Sequence, residues 1–437
     1  SAPEPGASFT FDISLAAGAA GTGGSARVCV AHGDDRFERQ LKLDEVLAGS
    51  DAVPVGATIR RWKHGARAAF CWRGDHDLYD PCTFQSEEGL RAALGLSRRT
   101  GIPSSLMLSA RLSLDGSEHE EFCRQFGWDR RSKEVESFVE FLRRDVTFEQ
   151  EMEWPLPPDG RLRAELGNHG YLHLGTHAAA HPGNGWKSHR RLGAGTYPWV
   201  KGRPDDSFAE QRDGIVENAR VVEAKLGVRM TSFTIPGDVL DGQTARAAEA
   251  AGIEVGSETD GSKLAKVFRL TPPHHPDGCD RLVELPRKYP KDPEEGHQVA
   301  MLRFWIGVAR RTGRAVVFLS HHHLRLFEGS RTSHLTEAVL RSVAADTDGD
   351  VWIGTLTALG RYWRDVLSER TRSVSAEVRG GEAWVTNRGT RAQEGLPVEV
   401  SFGKGRSCLV LVSAGPGESK RLVFGAPRSG AAAEYAP

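Results

Sequence analysis

Several features are scarce in this sequence, and each absence excludes something. No apolar run approaches the about 20 residues that a membrane-spanning helix needs. Neither sign of charge is in excess: 57 basic and 58 acidic residues give a formal net charge of −1. That excludes the strongly basic footprint of a nucleic-acid or membrane-surface binder. There is no C-x-x-C pair. Cys29, Cys71, Cys82, Cys123, Cys279 and Cys408 stand far apart, which argues against a thiolate zinc site. A Cys71–Cys82 disulfide in an exported protein and a set of separate buried thiols both fit this spacing. Internal repeats and low-complexity tracts are also lacking. The first residues, Ser-Ala-Pro-Glu-Pro-Gly-Ala, contain no Met and no hydrophobic signal region. The expectation is a secreted or cell-envelope protein from which an export signal has already been removed.

What is present is an ordinary globular composition, 39% apolar and 26% charged over 437 residues, with the Gly, Ala and Arg richness of a GC-rich bacterial gene. The length suggests one large domain with one or two small ones. Residues 1–60 carry short alternating stretches, Ser8-Phe-Thr-Phe-Asp-Ile-Ser and Ala26-Arg-Val-Cys-Val. Period two between glycines predicts a small all-β N-terminal segment. From about residue 66, apolar strands alternate with amphipathic helices. Strands are expected at Ala66–Trp72, Ile102–Ser109, Arg163–Gly167, Met230–Pro236, Ile253–Gly256, Arg281–Pro286, Ala315–Ser320 and Asp350–Gly354. Helices are expected over 89–96, 133–144, 207–226, 243–251, 299–311, 335–345 and 355–366. Such alternation over roughly 300 residues predicts an α/β domain around a parallel sheet, open or closed into a barrel. Residues 369–437 return to short strands, a C-terminal β-sandwich-like module. The predicted domains are therefore 1–60, 61–368 and 369–437.

Three polar clusters each follow a predicted strand, where closed barrels place their chemistry. In Glu165-Leu-Gly-Asn-His-Gly-Tyr-Leu-His, His169 and His173 stand four apart. On a helical turn both imidazoles would face one side and suit one ion; a pair of surface histidines has the same spacing. His177 and His181 continue the series, as solvated loop residues, hydrogen-bond donors behind the ligands or extra ligands. Trp72-Arg-Gly-Asp-His-Asp supplies Asp75 and Asp77. Two carboxylates near a dication can divide the work, one ligating and one taking a proton, while a bare D-x-D also caps turns. Val317-Phe-Leu-Ser-His-His-His offers a histidine as general acid, or a solvated edge. Successive side chains diverge, so at most one or two of the three act in one site.

Taken in order, these clusters resemble the polysaccharide deacetylase superfamily, the family-four carbohydrate esterases with a NodB-homology domain. The resemblance covers roughly residues 66–366 and implies a distorted (β/α) barrel. It matches Asp75 and Asp77 to the Asp pair and His169 and His173 to the paired His ligands. Thr234-Ile-Pro-Gly, with Pro236, matches the Pro-containing loop, and Leu319-Ser-His the L-x-H motif. The implied roles are Asp75 as base, with Asp77, His169 and His173 as ligands of one divalent ion, zinc by default and cobalt or nickel as substitutes. His321 is the implied acid, and His322 joins the substrate-binding residues. The two Asp assignments are interchangeable on sequence alone. The ion lowers the pKa of its water from about 15.7 toward 7, and one good oxyanion donor adds about 3–4 kcal/mol.

The sequence departs from that pattern at three places. The Asp pair is interrupted by His76. Gly170 stands where a Ser or Thr hydroxyl braces the loop. Thr234 replaces the Arg that steadies the catalytic Asp. Without it the pKa of that Asp would rise, unless another Arg such as Arg73 substitutes. Between His173 and the next helix a long loop carries Trp186, Tyr197 and Trp199 with Arg190 and Arg191. These residues would stack on sugar rings and meet an anionic glycan, or form a packed lid. The implied activity is removal of N-acetyl groups from amino sugars of an extracellular or envelope polysaccharide. The partner is then a carbohydrate rather than a nucleic acid. An amidase on a small non-sugar amide and an inactive carbohydrate-binding protein are the competing readings.

Overall fold

In the computed structural model, the described residues are 26–32, 35–41, 53–76, 86–109, 132–170, 208–235, 242–258, 270–287, 292–321, 326, 328–345, 350–402 and 406–422. The chain divides into two compact units, Ser1–Arg60 with Ser373–Pro437 and Arg61–Arg372. Among the described residues, no helix is long and apolar enough to cross a membrane.

The first unit is all β. Strand β1 (Ala26–His32) pairs antiparallel with β2 (Asp35–Leu41), and β3 (Pro54–Ile59) follows. The second unit runs β4 (Ala68–His76), α1 (Ser86–Thr100), β5 (Ser104–Leu108), α2 (Ser132–Asp145), β6 (Val146–Phe148), β7 (Leu162–Asn168), α3 (Phe208–Leu226), β8 (Ser232–Phe233), α4 (Gly242–Ala250), β9 (Val255–Gly256), β10 (Val283–Glu284), α5 (Gly296–Thr312), β11 (Ala315–His321), α6 (Arg331–Ala345), β12 (Val351–Ile353) and α7 (Leu356–Tyr362). The first unit resumes with β13 (Val374–Arg379), β14 (Glu382–Asn387), β15 (Gln393–Phe402), β16 (Arg406–Ala414) and β17 (Ser419–Leu422).

Strands β13, β14 and β17 form one antiparallel sheet, and β16, β15 and β3 another. Val374, Ala383 and Val385 from the first meet Leu396, Val398 and Val400 from the second in a common core, as in a sandwich. The N-terminal and C-terminal β segments, expected as separate pieces, share this unit because β3 pairs with β15. Strand pairing over more than 300 residues leaves no local signature in the sequence.

The second unit is a distorted parallel barrel. Its strands follow the order β10-β9-β8-β7-β5-β4-β11, and a parallel bridge between Arg287, just beyond β10, and Val317 of β11 joins the two ends. Along β4 the residues alternate. Phe70 and Trp72 pack outward with Leu302, Trp305 and Val339 of α5 and α6, whereas Ala69 and Cys71 face inward with Val317 and Trp352. Period two then turns Arg73 and Asp75 inward and His76 outward, and His76 indeed stacks on Phe138 of α2 with ring centroids 5.5 Å apart. The first interruption of the family pattern is thus an outward-facing residue. The short β6 has no counterpart among the expected strands; it pairs with the lower half of β7.

Below the inward ends of these strands lies a buried polar knot. The Ser105 hydroxyl donates to Glu165 Oε2 at 2.5 Å and accepts from the Leu356 amide at 2.8 Å. The Thr357 hydroxyl donates to Glu165 Oε1, and the Thr357 amide also points at that carboxyl, 3.2 Å away. Cys71 is a free thiol 3.6 Å from Ser105 Oγ, and burial pushes its pKa upward. Cys82 lies outside the described residues. Glu165 is fully buried, and burial raises its pKa although its hydrogen bonds oppose the shift. A carboxyl whose folded pKa exceeds its unfolded value stabilises most below the unfolded pKa, and that contribution is lost as pH rises through the folded one. Glu165→Gln is therefore expected to gain on the native protein in melting temperature as pH rises from 5 to 8. Thermal unfolding at both pH values measures it, and a difference independent of pH would contradict it.

Candidate active site

The inward-facing residues at the C-terminal ends of β4, β7 and β11 converge. Asp75 is the register partner of His321 on one side and of Met107 on the other, and Met107 is the partner of Gly167. Adjacent strands are about 5 Å apart, so Asp75 and His321 are neighbours on one face of the barrel. His169 continues β7, its amide donating to Leu108 O at 3.1 Å. It lies two residues beyond Gly167 and therefore on the same face as Gly167 and Glu165. A Cβ at Gly167 would lie 2.4 Å from Met107 Sδ and 2.5 Å from Ser232 Oγ. Only glycine lets Met107 close the floor there.

Asp75 is 3% exposed and Arg73 fully buried. Arg73 grips the Asp75 carboxylate with two parallel bonds, Nε to Oδ1 at 2.8 Å and Nη2 to Oδ2 at 2.6 Å. Its third arm, Nη1, donates to Ser257 O at 2.5 Å. This fork fixes the plane of the carboxylate and compensates its charge. The ion pair that Thr234 cannot make is made here by Arg73.

His169 is 2% exposed. Its Nδ1 lies 2.8 Å from both the carbonyl oxygen and the hydroxyl of Thr234. A carbonyl only accepts, so Nδ1 donates to it, and in the neutral imidazole the lone pair is then on Nε2. That is the tautomer in which an imidazole ligates a metal, oriented by a carbonyl behind it. Thr234, a departure from the family pattern, thus orients His169. The Ser109 hydroxyl donates to His169 O at 2.9 Å, and Asn168 anchors the strand end to α3 through Ile215 O at 2.8 Å. Gly170 has φ 72°, a left-handed conformation that Ser or Thr adopts only with strain. Its amide donates to Asn168 Oδ1 at 2.9 Å. The missing hydroxyl at 170 accompanies a backbone turn that favours glycine.

His321 has a partner absent from the expected site residues. Asp292 Oδ1 accepts the His321 amide at 2.5 Å, and Asp292 Oδ2 lies 2.5 Å from His321 Nδ1. Asp292 is 7% exposed and sits at φ 46°, an uncommon conformation for a residue with a side chain. It is held there by the two bonds to His321 and by its own amide donating to Leu319 O at 3.3 Å. The carboxylate accepts from Nδ1 and fixes the orientation of the imidazole. Its signal in the sequence was faint: Asp292 precedes a proline a few residues beyond β10, at the same end of the barrel as the other groups.

Asp77, His173, Trp186, Tyr197, Trp199, Pro236 and His322 lie outside the described residues. Among the described residues no group of three His, Cys, Asp or Glu could hold a metal ion; two of the three expected ligands are not among them. The donor chemistry of His169, fixed in its ligating tautomer, fits a divalent ion of the zinc type.

No family model and no curated protein sequence matches the chain. Solved structures do. One described as a polysaccharide deacetylase from Mycobacterium smegmatis is 15% identical, with TM-score 0.43, over 72% of this chain and 96% of that one. One described as a polysaccharide deacetylase from Pseudomonas aeruginosa is 13% identical, with TM-score 0.46, over 71% and 95%. An allantoinase is 13% identical, with TM-score 0.43, over 71% and 94%. The chain is similar in fold, at low identity, to structures of polysaccharide deacetylases.

Proposed function

We propose that this protein is a metal-dependent hydrolase that removes N-acetyl groups from the amino sugars of an extracellular or envelope polysaccharide. The observation that carries the reading is the pairing of two differently equipped titratable groups, Asp75 with Arg73 and His321 with Asp292, on adjoining strands at one barrel mouth. A carboxylate oriented by an arginine and a histidine oriented by an aspartate suit the roles of base and acid.

Asp77, His169 and His173 would hold the ion. When bound, the ion polarises the acyl carbonyl and makes water a competent nucleophile near neutral pH. Asp75, fixed by the Arg73 fork, accepts the proton of the attacking water. His321, carrying its proton on Nε2 while Nδ1–H points at Asp292, delivers it to the departing amine. Asp292 stabilises the positive imidazole before that transfer. As residue types, Trp186, Tyr197 and Trp199 would suit stacking on sugar rings, Pro236 and His322 would join them in binding substrate, and Arg190 and Arg191 would suit an anionic glycan. A non-catalytic carbohydrate binder would need neither a carboxylate held by an arginine nor a histidine held by an aspartate.

Acetate release from chitooligosaccharides tests the reading. The protein loaded with zinc is expected to release acetate, to lose more than nine-tenths of that activity on exhaustive chelation, and to regain it with zinc, cobalt or nickel. Release from small acyl-amides but not from oligosaccharides would transfer the function to the amidase reading. Failure to bind any divalent ion in equilibrium dialysis would remove the hydrolase readings altogether.

A further inference from the structure

The two sheets of the first unit end in four edge strands, β13 and β17 in one, β3 and β16 in the other. An open edge invites another strand, and natural sheets guard it with charge, proline or shortness. Strand β13 carries Glu377 and Arg379, and β17 carries Lys420 and Arg421, all with exposed side chains. Strand β3 has only six residues and begins at Pro54. Strand β16 has none of these guards. It runs for nine residues, and from Ser407 to Ala414 it contains neither a charge nor a proline. Among the described residues it pairs with β15 alone. Val410 and Val412 turn into the core of the sandwich. On the opposite face Leu409 is 45% exposed and Leu411 61% exposed.

We propose that β16 pairs antiparallel with β16 of a second copy of this chain, about a two-fold axis through Val410, joining two three-stranded sheets into one. The sequence of the edge identifies the occupant. Ser407-Cys-Leu-Val-Leu-Val-Ser413 reads nearly the same in both directions from Val410, and an isologous contact requires a surface that matches itself. Residues directly opposite in an antiparallel pair lie on the same face. About Val410, leucine at 409 faces leucine at 411 of the other copy. Cys408 faces Val412, Val410 faces its counterpart, and Ser407 faces Ser413. The next registers that keep the faces matched have their axes at Leu409 or Leu411, and both set a serine against a leucine. The leucines, exposed in one copy, cover each other across the axis. The inference stands on the first unit and is independent of the glycan reading.

A single strand pair makes a small interface, in the class below about 1,200 Å², so a reversible dimer is expected. Sedimentation velocity of the full chain from about 1 to about 200 µM should show a monomer–dimer equilibrium. Leu411→Lys installs the guard that the other edges carry and is expected to weaken the dimer by about tenfold or more. Because Leu411 is 61% exposed, the melting temperature of the dilute variant should stay at the native value. Register is read by cysteine pairs under mild oxidation. The double variant Leu409→Cys with Leu411→Cys is expected to form a covalent dimer above the native background, and each single variant is not. A native protein that stays monomeric across the range overturns the proposal. Slow amide exchange over 408–412 in that monomer would give the edge to a segment of the same chain, such as Ser8–Ser14. A dimer indifferent to Leu411→Lys overturns the proposal by placing the contact elsewhere. Cross-linking of a single variant overturns it by moving the axis away from Val410.

Discussion

His321→Gln is expected to lower kcat for deacetylation of a chitooligosaccharide by about 10²- to 10⁴-fold, with little change in KM. That range is what a positioned general acid contributes. The amine of an amino sugar is a poor leaving group and departs only with a proton. The His321 ring is held for that delivery, its Nδ1 directed at Asp292 Oδ2, 2.5 Å away, while the backbone amide of the same residue occupies Asp292 Oδ1. Glutamine keeps the polar volume and the amide bond to Asp292 but has no proton to give. The leaving group supplies the control. An aryl acetate departs as a stable phenolate and needs no acid, so the variant is expected to keep most of its activity on that ester. Comparable losses on both substrates would mean that His321 shapes the site rather than donating to the leaving group, and undiminished deacetylation would end its candidacy. The same comparison makes Asp292→Asn informative: it keeps the shape and one acceptor but removes the charge and sets an NH2 against the ring nitrogen, so its loss should follow His321→Gln on the amide and be absent on the ester.

The site was legible where a strand announces itself by an apolar run and ends in a polar residue. Ala315-Val-Val-Phe-Leu-Ser running into His321 and Ala68-Ala-Phe-Cys-Trp running into Arg73 and Asp75 both have this form. Period two then decides which side chain turns inward, and it separates Asp75 from the outward-facing His76 without further information. What escaped depends on contacts remote in sequence. Asp292 reaches His321 across 29 residues, from an irregular segment that has neither helical nor strand period. The orienting of His169 by Thr234 spans 65 residues, and half of it comes from a backbone carbonyl, which no residue type encodes. The strands β8, β9 and β10 fall within expected strands, but closure of the barrel by Arg287 and Val317 is a single bridge between segments remote in sequence, and the pairing of β3 with β15 is likewise long-range, so neither leaves a local pattern.

Arg73→Met is expected to lower the free energy of unfolding by about 3–5 kcal/mol, the cost of breaking a buried ion pair from one side, and to abolish deacetylation. Methionine fills much of the same volume, so the loss reports charge and hydrogen bonding more than packing. Asp75 would remain 3% exposed with its carboxylate deprived of both arms of the fork, and Ser257 O would lose its donor. Lysine restores the charge but not the geometry, since a single ammonium cannot make two parallel bonds to one carboxylate. Arg73→Lys should therefore recover part of the stability and little of the rate. The double variant Arg73→Met with Asp75→Asn tests whether the pair acts as a unit. Once the uncompensated charge is gone, most of the lost stability should return, because a buried pair often contributes little net stability against the desolvation of two ions. Activity should not return, since the base is absent. Urea unfolding of the native protein, Arg73→Met, Asp75→Asn and the double variant gives the coupling energy directly. A coupling near zero would mean that Asp75 is compensated by something other than Arg73, and the arginine would then have no claim to the role that Thr234 leaves vacant. A strong coupling combined with dead catalysis in every variant would mark the ion pair as a device for holding a reactive carboxylate in one orientation at the barrel mouth.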